Sequence, residues 1–122
     1  MVIYMSFNFN NDRPIYIQLL EQLQVLIVSG NINSGDRISS VRDLAIEYKV
    51  NPNTVQKALQ ELESLGLIYT ERTNGKFVTD DKKLIEKYKC RFAKESVDNY
   101  FKSMNKLGFS NEEAIKYLKG DK

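Results

Sequence analysis

Apolar and polar positions along the chain recur with helical spacing, interrupted once by a β-prone hairpin. From Pro14 to Ser29, Ile15, Leu19, Leu23, Leu26 and Ile27 return every three or four residues and predict a first helix. Pro14 takes its first position and Gly30 stops it. Tyr16, Leu20 and Val28 widen the apolar surface, and Glu21 is its one charge. Asn33-Ser34-Gly35-Asp36 reads as a turn, and Arg37-Ile38 as a short strand able to pair with a later hairpin. From Ser40 to Val50 the stripe is Val41, Leu44, Ala45 and Tyr48, opened by Ser40 and Asp43 in the spacing of a capping box. Lys49, Val50 and Asn51 turn the chain into the next helix.

That third helix runs from Asn51 to Gly66 and has both ends marked. Asn51 can cap the open amides, Pro52 suits the first helical position, and Gly66 can close the last carbonyls in a left-handed conformation. Val55, Ala58, Leu59, Leu62 and Leu65 share its inner face. Leu67–Thr70 and Lys76–Thr79 are β-prone and joined by a polar link ending in Asn74-Gly75, a hairpin signal. Two short helices across a tight turn followed by a hairpin make a winged helix-turn-helix over residues 1–79. Upstream, Ile3, Met5, Phe7 and Phe9 alternate as in a short strand or arm, with Phe7 and Phe9 packing onto the domain. Met5 is a second candidate start.

Residues 80–122 form the second predicted domain. Asp80 and Asp81 suit the positive end of a long helix running to Leu107, which Gly108 ends. Ile85, Tyr88, Phe92, Ser96, Tyr100 and Leu107 make one stripe; Ala93, Val97, Phe101 and Met104 make a second beside it. Ser110 and Glu113 open a short helix with Ala114, Ile115 and Leu118 inward. Two helices cannot bury so wide an apolar surface alone; a second copy in a symmetric dimer covers it economically, the alternative being that both stripes fold back on the winged domain. The expected fold is therefore mainly α with a small β wing, followed by a two-helix dimerisation domain.

The outer face of the third helix carries Asn53, Thr54, Gln56, Lys57 and Gln60, with no acid in its first turns. Amides can pair with base edges in a major groove, while Thr and Lys reach phosphates. Arg42, in the first turn of the second helix, either reaches DNA or pairs with Asp43 or Glu47. Arg37, Ser40, Asn51, Arg72, Asn74 and Lys76 complete the candidate DNA-contacting set. Gly75 would let the wing tip approach a minor groove, and a valine there should obstruct DNA with little loss of thermal stability, strain in the turn being the alternative effect.

Bulk charge adds less. The net charge is +2, with seven Lys and Arg against eight Asp and Glu in residues 1–78, so any DNA affinity must come from placement of groups. Lys82, Lys83, Lys87, Lys89, Arg91 and Lys94 read as a solvated face of the long helix, with a place near the DNA flanks as the alternative. A single cysteine, Cys90, fits a reducing cytoplasm, and no apolar run reaches membrane-spanning length. The chain has no His, hence neither the commonest general base nor the commonest transition-metal ligand. No nucleophile stands beside a base, so no enzyme, cofactor or metal site is expected.

PIYIQ (14–18), SGNINSGDRI (29–38), SVRDLA (40–45), VNPNTVQKALQELESLGLI (50–68) and NGKFV (74–78) occur in the order and spacing of the GntR family of bacterial transcription regulators, which the chain resembles over residues 14–78. The Asn51-Pro52 opening and the short tail resemble the YtrA subfamily. The resemblance implies that Arg42 faces DNA. The family often has Pro at the position of Ser39, and Ser-Arg or Thr-Arg where Asn51-Pro52 stands. The second departure removes a DNA-contacting arginine, so no base preference carries over. The implied function is sequence-specific transcription regulation, as a repressor, by a homodimer on a two-fold operator. The rival reading is a winged helix used for protein–protein interaction without DNA. Larger family members carry an effector domain, but only about 44 residues follow Val78 here. An effector pocket needs on the order of 300 Å³. Two helices per subunit offer that only at a dimer seam, and no residue identifies the small molecule. YtrA-like members are often associated with ABC-transporter genes, a link that the resemblance alone implies.

Overall fold

The structure is a computed structural model that describes residues 9–120. Helices α1 (Ile15–Val28), α2 (Val41–Tyr48) and α3 (Pro52–Ser64) precede strands β1 (Ile68–Glu71) and β2 (Gly75–Val78); α4 (Lys82–Lys106) and α5 (Asn111–Leu118) follow. The fold is mainly α with a small wing, as expected. The alternation at Ile3, Met5 and Phe7 lies outside the described residues. Phe9 does pack on the domain, its ring tilted against that of Tyr48 with centroids 6.2 Å apart.

Local sequence signals set the helix ends. Asn51 Oδ1 accepts from the amide of Asn53 at 2.8 Å, with Pro52 beginning α3. Ser40 Oγ accepts from the amide of Asp43 at 3.1 Å. Asp43 gives no return bond among the described residues, because its side chain is one methylene shorter than the Glu of a full box. Ser110 and Glu113 make both halves. Lys49 takes a left-handed φ of 56° and so bends the chain tightly from α2 into α3.

Leu19, Leu23 and Ile27 of α1 meet Leu44 of α2 and Val55, Leu59 and Leu62 of α3 in a closed core, sealed by Leu67, Ile68 and Val78. Truncating any of these leucines to alanine costs about 2–5 kcal/mol. Ile15, Val41 and Leu65, also placed on inner faces by periodicity, are half-buried because they stand at helix ends, at the rim of that core. Gln18 is fully buried within the apolar stripe of α1. Its amide nitrogen donates to the carbonyls of Asn10 and Arg13, and its oxygen accepts from the amide of Asn10. It thereby fixes the approach to α1.

The two strands pair antiparallel, with Tyr69 opposite Phe77 and Thr70 opposite Lys76. The short strand expected at Arg37-Ile38 is present as a bridge from Arg37 to Phe77, extended by Ile38 N to Lys76 O at 2.8 Å and Val78 N to Asp36 O at 2.9 Å. The wing is therefore held on both edges of β2.

The chain divides into two compact units between Glu86 and Lys87. In the second unit, the Tyr100 hydroxyl donates to the Ala114 carbonyl at 2.6 Å, Asn105 Nδ2 donates to the Phe109 carbonyl, and Phe109 meets Tyr117 edge to face. No residue of α4 is buried, and α5 buries Ala114 alone. Ile115 and Leu118, expected to point inward, are 41% and 65% exposed. An eight-residue helix against one neighbour covers a single row of side chains, and Ala114 occupies that row. Among the described residues no helix is long and apolar enough to cross a membrane.

Candidate nucleic-acid interface

The buried row Val55, Ala58, Leu59 and Leu62 pins α3 to the core and fixes which face it turns outward. On that face Asn53, Gln56, Lys57 and Gln60 are exposed and Thr54 is half-buried. The first turn of α3 contains no acidic residue, so the positive end of the helix is not offset by a carboxylate on that turn. The Asn51 side chain serves as the cap. Its neighbour in the turn, Lys49, is exposed.

Arg42 is exposed on α2 and enters no ion pair among the described residues, so the pairing with Asp43 or Glu47 considered for it is not formed. Ser40, just before it, is committed to capping α2. Lys57 is also placed in a definite position: its Nζ lies 4.0 Å from the centroid of the Tyr16 ring, which comes from the first turn of α1.

The wing residues divide into committed and free. Lys76 Nζ is 3.0 Å from Glu63 Oε1 and donates to Thr70 Oγ1 at 2.8 Å, so its charge is used within the fold. The hydrogen bond from Lys76, then that from Thr70, holds the Glu63 carboxyl below the usual carboxylate range. The Asn74 amide donates to Glu71. Arg72 is exposed at the tip. Gly75 has φ +100°, and a Cβ built there would stand 3.1 Å from Arg37 Nε and 3.3 Å from Arg37 Nη2. The expectation that valine at this position spares stability is corrected by this geometry: both backbone strain and the Arg37 side chain oppose it.

Three participants escaped the sequence reading. Gln18 had a visible signal, a polar residue inside an apolar stripe, which demands buried partners. Tyr16 and Glu63 had none, since their partners Lys57 and Lys76 are brought to them only by tertiary packing.

A capped helix-turn-helix with an amide- and lysine-bearing outer face, flanked by a glycine-cornered hairpin, defines the winged helix-turn-helix class of DNA-binding regulators. Residues 15–78 match the family described as bacterial regulatory proteins, gntR family, and the chain belongs to this GntR family of transcription regulators. It is 34% identical over 115 residues to the uncharacterized HTH-type transcriptional regulator YhcF of Bacillus subtilis, covering 94% of this chain and 95% of that one. It is 41% identical over 73 residues to the HTH-type transcriptional repressor YtrA of the same organism, covering 60% of this chain and 56% of that one. Among solved structures, a GntR family transcriptional regulator from Listeria monocytogenes superposes with a TM-score of 0.83 at 39% identity, covering 93% of this chain and all of that one. The AraR DNA-binding domain, solved in complex with operator ORX1, gives a TM-score of 0.56 at 26% identity over 62% of this chain and all of that domain.

Proposed function

We propose that this chain is a cytoplasmic, sequence-specific repressor that binds a two-fold operator as a homodimer, residues 1–79 reading DNA and residues 80–122 joining the subunits. The observation that carries the DNA half is the outer face of α3, where Asn53, Gln56 and Lys57 stand exposed over a sealed core with no acid in the first turn. Amides there match adenine edges, and lysine matches phosphate. The operator-bound AraR domain supports the same use of the same fold, and the name of YtrA supports repression. The dimer half rests on apolar side chains that one copy leaves open: Val97 (53%), Leu107 (72%) and Leu118 (65%). Water contact at these side chains is relieved by a second copy of the same pair of helices. Any small-molecule effector would then sit at that seam.

Selection of bound duplexes from a random pool tests the reading, because half-site, spacing and symmetry emerge together. A two-fold consensus is expected, with affinity that falls steeply with salt. The protein–protein alternative draws on the slight acidic excess of residues 1–78. It replaces the DNA reading if no duplex is enriched and binding shows no salt dependence.

A further inference from the structure

We infer that Tyr16 of α1 is a positioning residue of the DNA-binding surface: the face of its ring holds the Lys57 ammonium where a phosphate can take it. The inference rests on the proposed DNA role of α3 and goes beyond it, because it places a helix outside the helix-turn-helix in the binding machinery. The ammonium lies 4.0 Å from the ring centroid, well inside the reach of about 6 Å for attraction between a cation and an aromatic face.

Two lysines of this unit show what the ring does. Lys76 is held by a carboxylate, Glu63, which offsets its charge. Lys57 enters no ion pair among the described residues and is held by a neutral ring instead. A ring attracts the ammonium through its quadrupole but adds no opposite charge, so the cation keeps its full attraction for an incoming anion. A free lysine side chain surrenders rotamer freedom when it docks; one already parked on a ring surrenders less.

Tyr16 is well placed for this. It is half-buried, and it lies in the first turn of a helix whose approach is fixed by the buried Gln18. The hydroxyl plays no part in holding the lysine. Phenylalanine should therefore serve as well as tyrosine, and leucine should not.

The experiment uses the intact chain. Proton–carbon NMR of the free protein should show the Lys57 Cε protons shifted upfield by the ring, in the parent and in Tyr16→Phe, and unshifted in Tyr16→Leu. Duplex affinity is then measured at two salt concentrations. Tyr16→Leu should weaken binding by about two- to five-fold, equally on selected and scrambled duplexes. Tyr16→Phe should restore it, and Tyr16→Leu should add nothing on top of Lys57→Met. If Tyr16→Leu loses its melting transition, fluorinated phenylalanines at position 16 take its place. They keep the shape but drain the ring face, and affinity should fall with each added fluorine. An unshifted Lys57 in the parent, additive losses with Lys57→Met, a flat fluorine series, or a Tyr16→Phe as weak as Tyr16→Leu overturns the inference. A parent that binds duplex but ignores a folded Tyr16→Leu overturns it alone. A parent that binds no duplex at either salt overturns the DNA reading as well.

Discussion

Glu63, near the C-terminal end of α3, holds the ammonium of Lys76 on the wing at 3.0 Å. Thr70 completes the group, donating its hydroxyl to the same carboxylate at 2.9 Å. Strand β2 is thus tied to the helix proposed to read DNA, besides being paired with β1 and Arg37. Lys76→Met should consequently leave the salt dependence of DNA binding close to that of the parent, since its charge is already matched. A slope reduced by about one unit would mean that Lys76 leaves Glu63 for a phosphate.

The same pair makes a pH prediction. The folded-state pKa of Glu63 is lowered, first by the hydrogen bond from Lys76 and then by that from Thr70. Its contribution to stability is therefore complete above the ordinary carboxylate range and is lost as pH falls through the lowered value. Glu63→Gln should melt below the parent at neutral pH and converge with it in acid. Both side chains are partly exposed, so the gap should stay under about 1 kcal/mol. Melting curves across pH decide it; a gap that widens in acid contradicts the assignment.

Gly75→Val should lower both stability and DNA affinity. At φ +100° an L side chain is strained, at a cost on the order of 1–3 kcal/mol, and its Cβ meets Arg37 Nε at 3.1 Å. Adding Arg37→Ala should relieve the contact but not the strain, so the double variant should recover only part of the loss. Urea titrations of the parent and the three variants measure this. Full recovery would show that crowding, not backbone conformation, selects glycine.

The helix ends and the wing were legible because their signals are local. Asn51-Pro52, Ser110 with Glu113, and Asn74-Gly75 each act within a few residues. That a short strand at Arg37-Ile38 pairs with the wing was also legible, from its place beside a turn, whereas its partner Phe77 was not. Pairs such as Tyr16 with Lys57 and Glu63 with Lys76 were not, because no spacing rule joins residues on separately packed elements. The outward Ile115 and Leu118 mark a different limit: periodicity finds an apolar row but does not say whether the same chain or another covers it.

That open row makes the oligomer prediction. The intact chain should be a dimer at micromolar concentration, and Leu118→Asp should make it monomeric while leaving its helix content intact. Leu118 is a cleaner choice than Tyr100, whose hydroxyl also bonds α5 within one copy. Light scattering gives the mass and circular dichroism the fold. A dimer unmoved by Leu118→Asp, and by Phe92→Asp on α4, would place the subunit contact elsewhere.

The outer face of α3 makes the most divided prediction, because its side chains differ in kind. Gln56 is exposed in the second turn, and its amide can both donate to and accept from adenine. Gln56→Ala should lose about 1–3 kcal/mol on the selected site and relax the choice at one base pair. Lys57 is a point charge. Lys57→Ala should weaken binding about equally on every sequence and flatten the salt slope by about one unit. Thr54, half-buried beside the Asn51 cap, should behave as a neutral phosphate contact, with loss on all sequences and no change of slope. Arg42 is exposed and enters no ion pair among the described residues, so Arg42→Ala should cost the most. None of the four lies in the buried row of Val55, Ala58, Leu59 and Leu62, so melting temperatures should hardly move. Affinities for selected and scrambled duplexes at two salt concentrations separate the roles. If all four folded variants bind as the parent does, α3 does not face DNA, and its polar face must instead meet a protein.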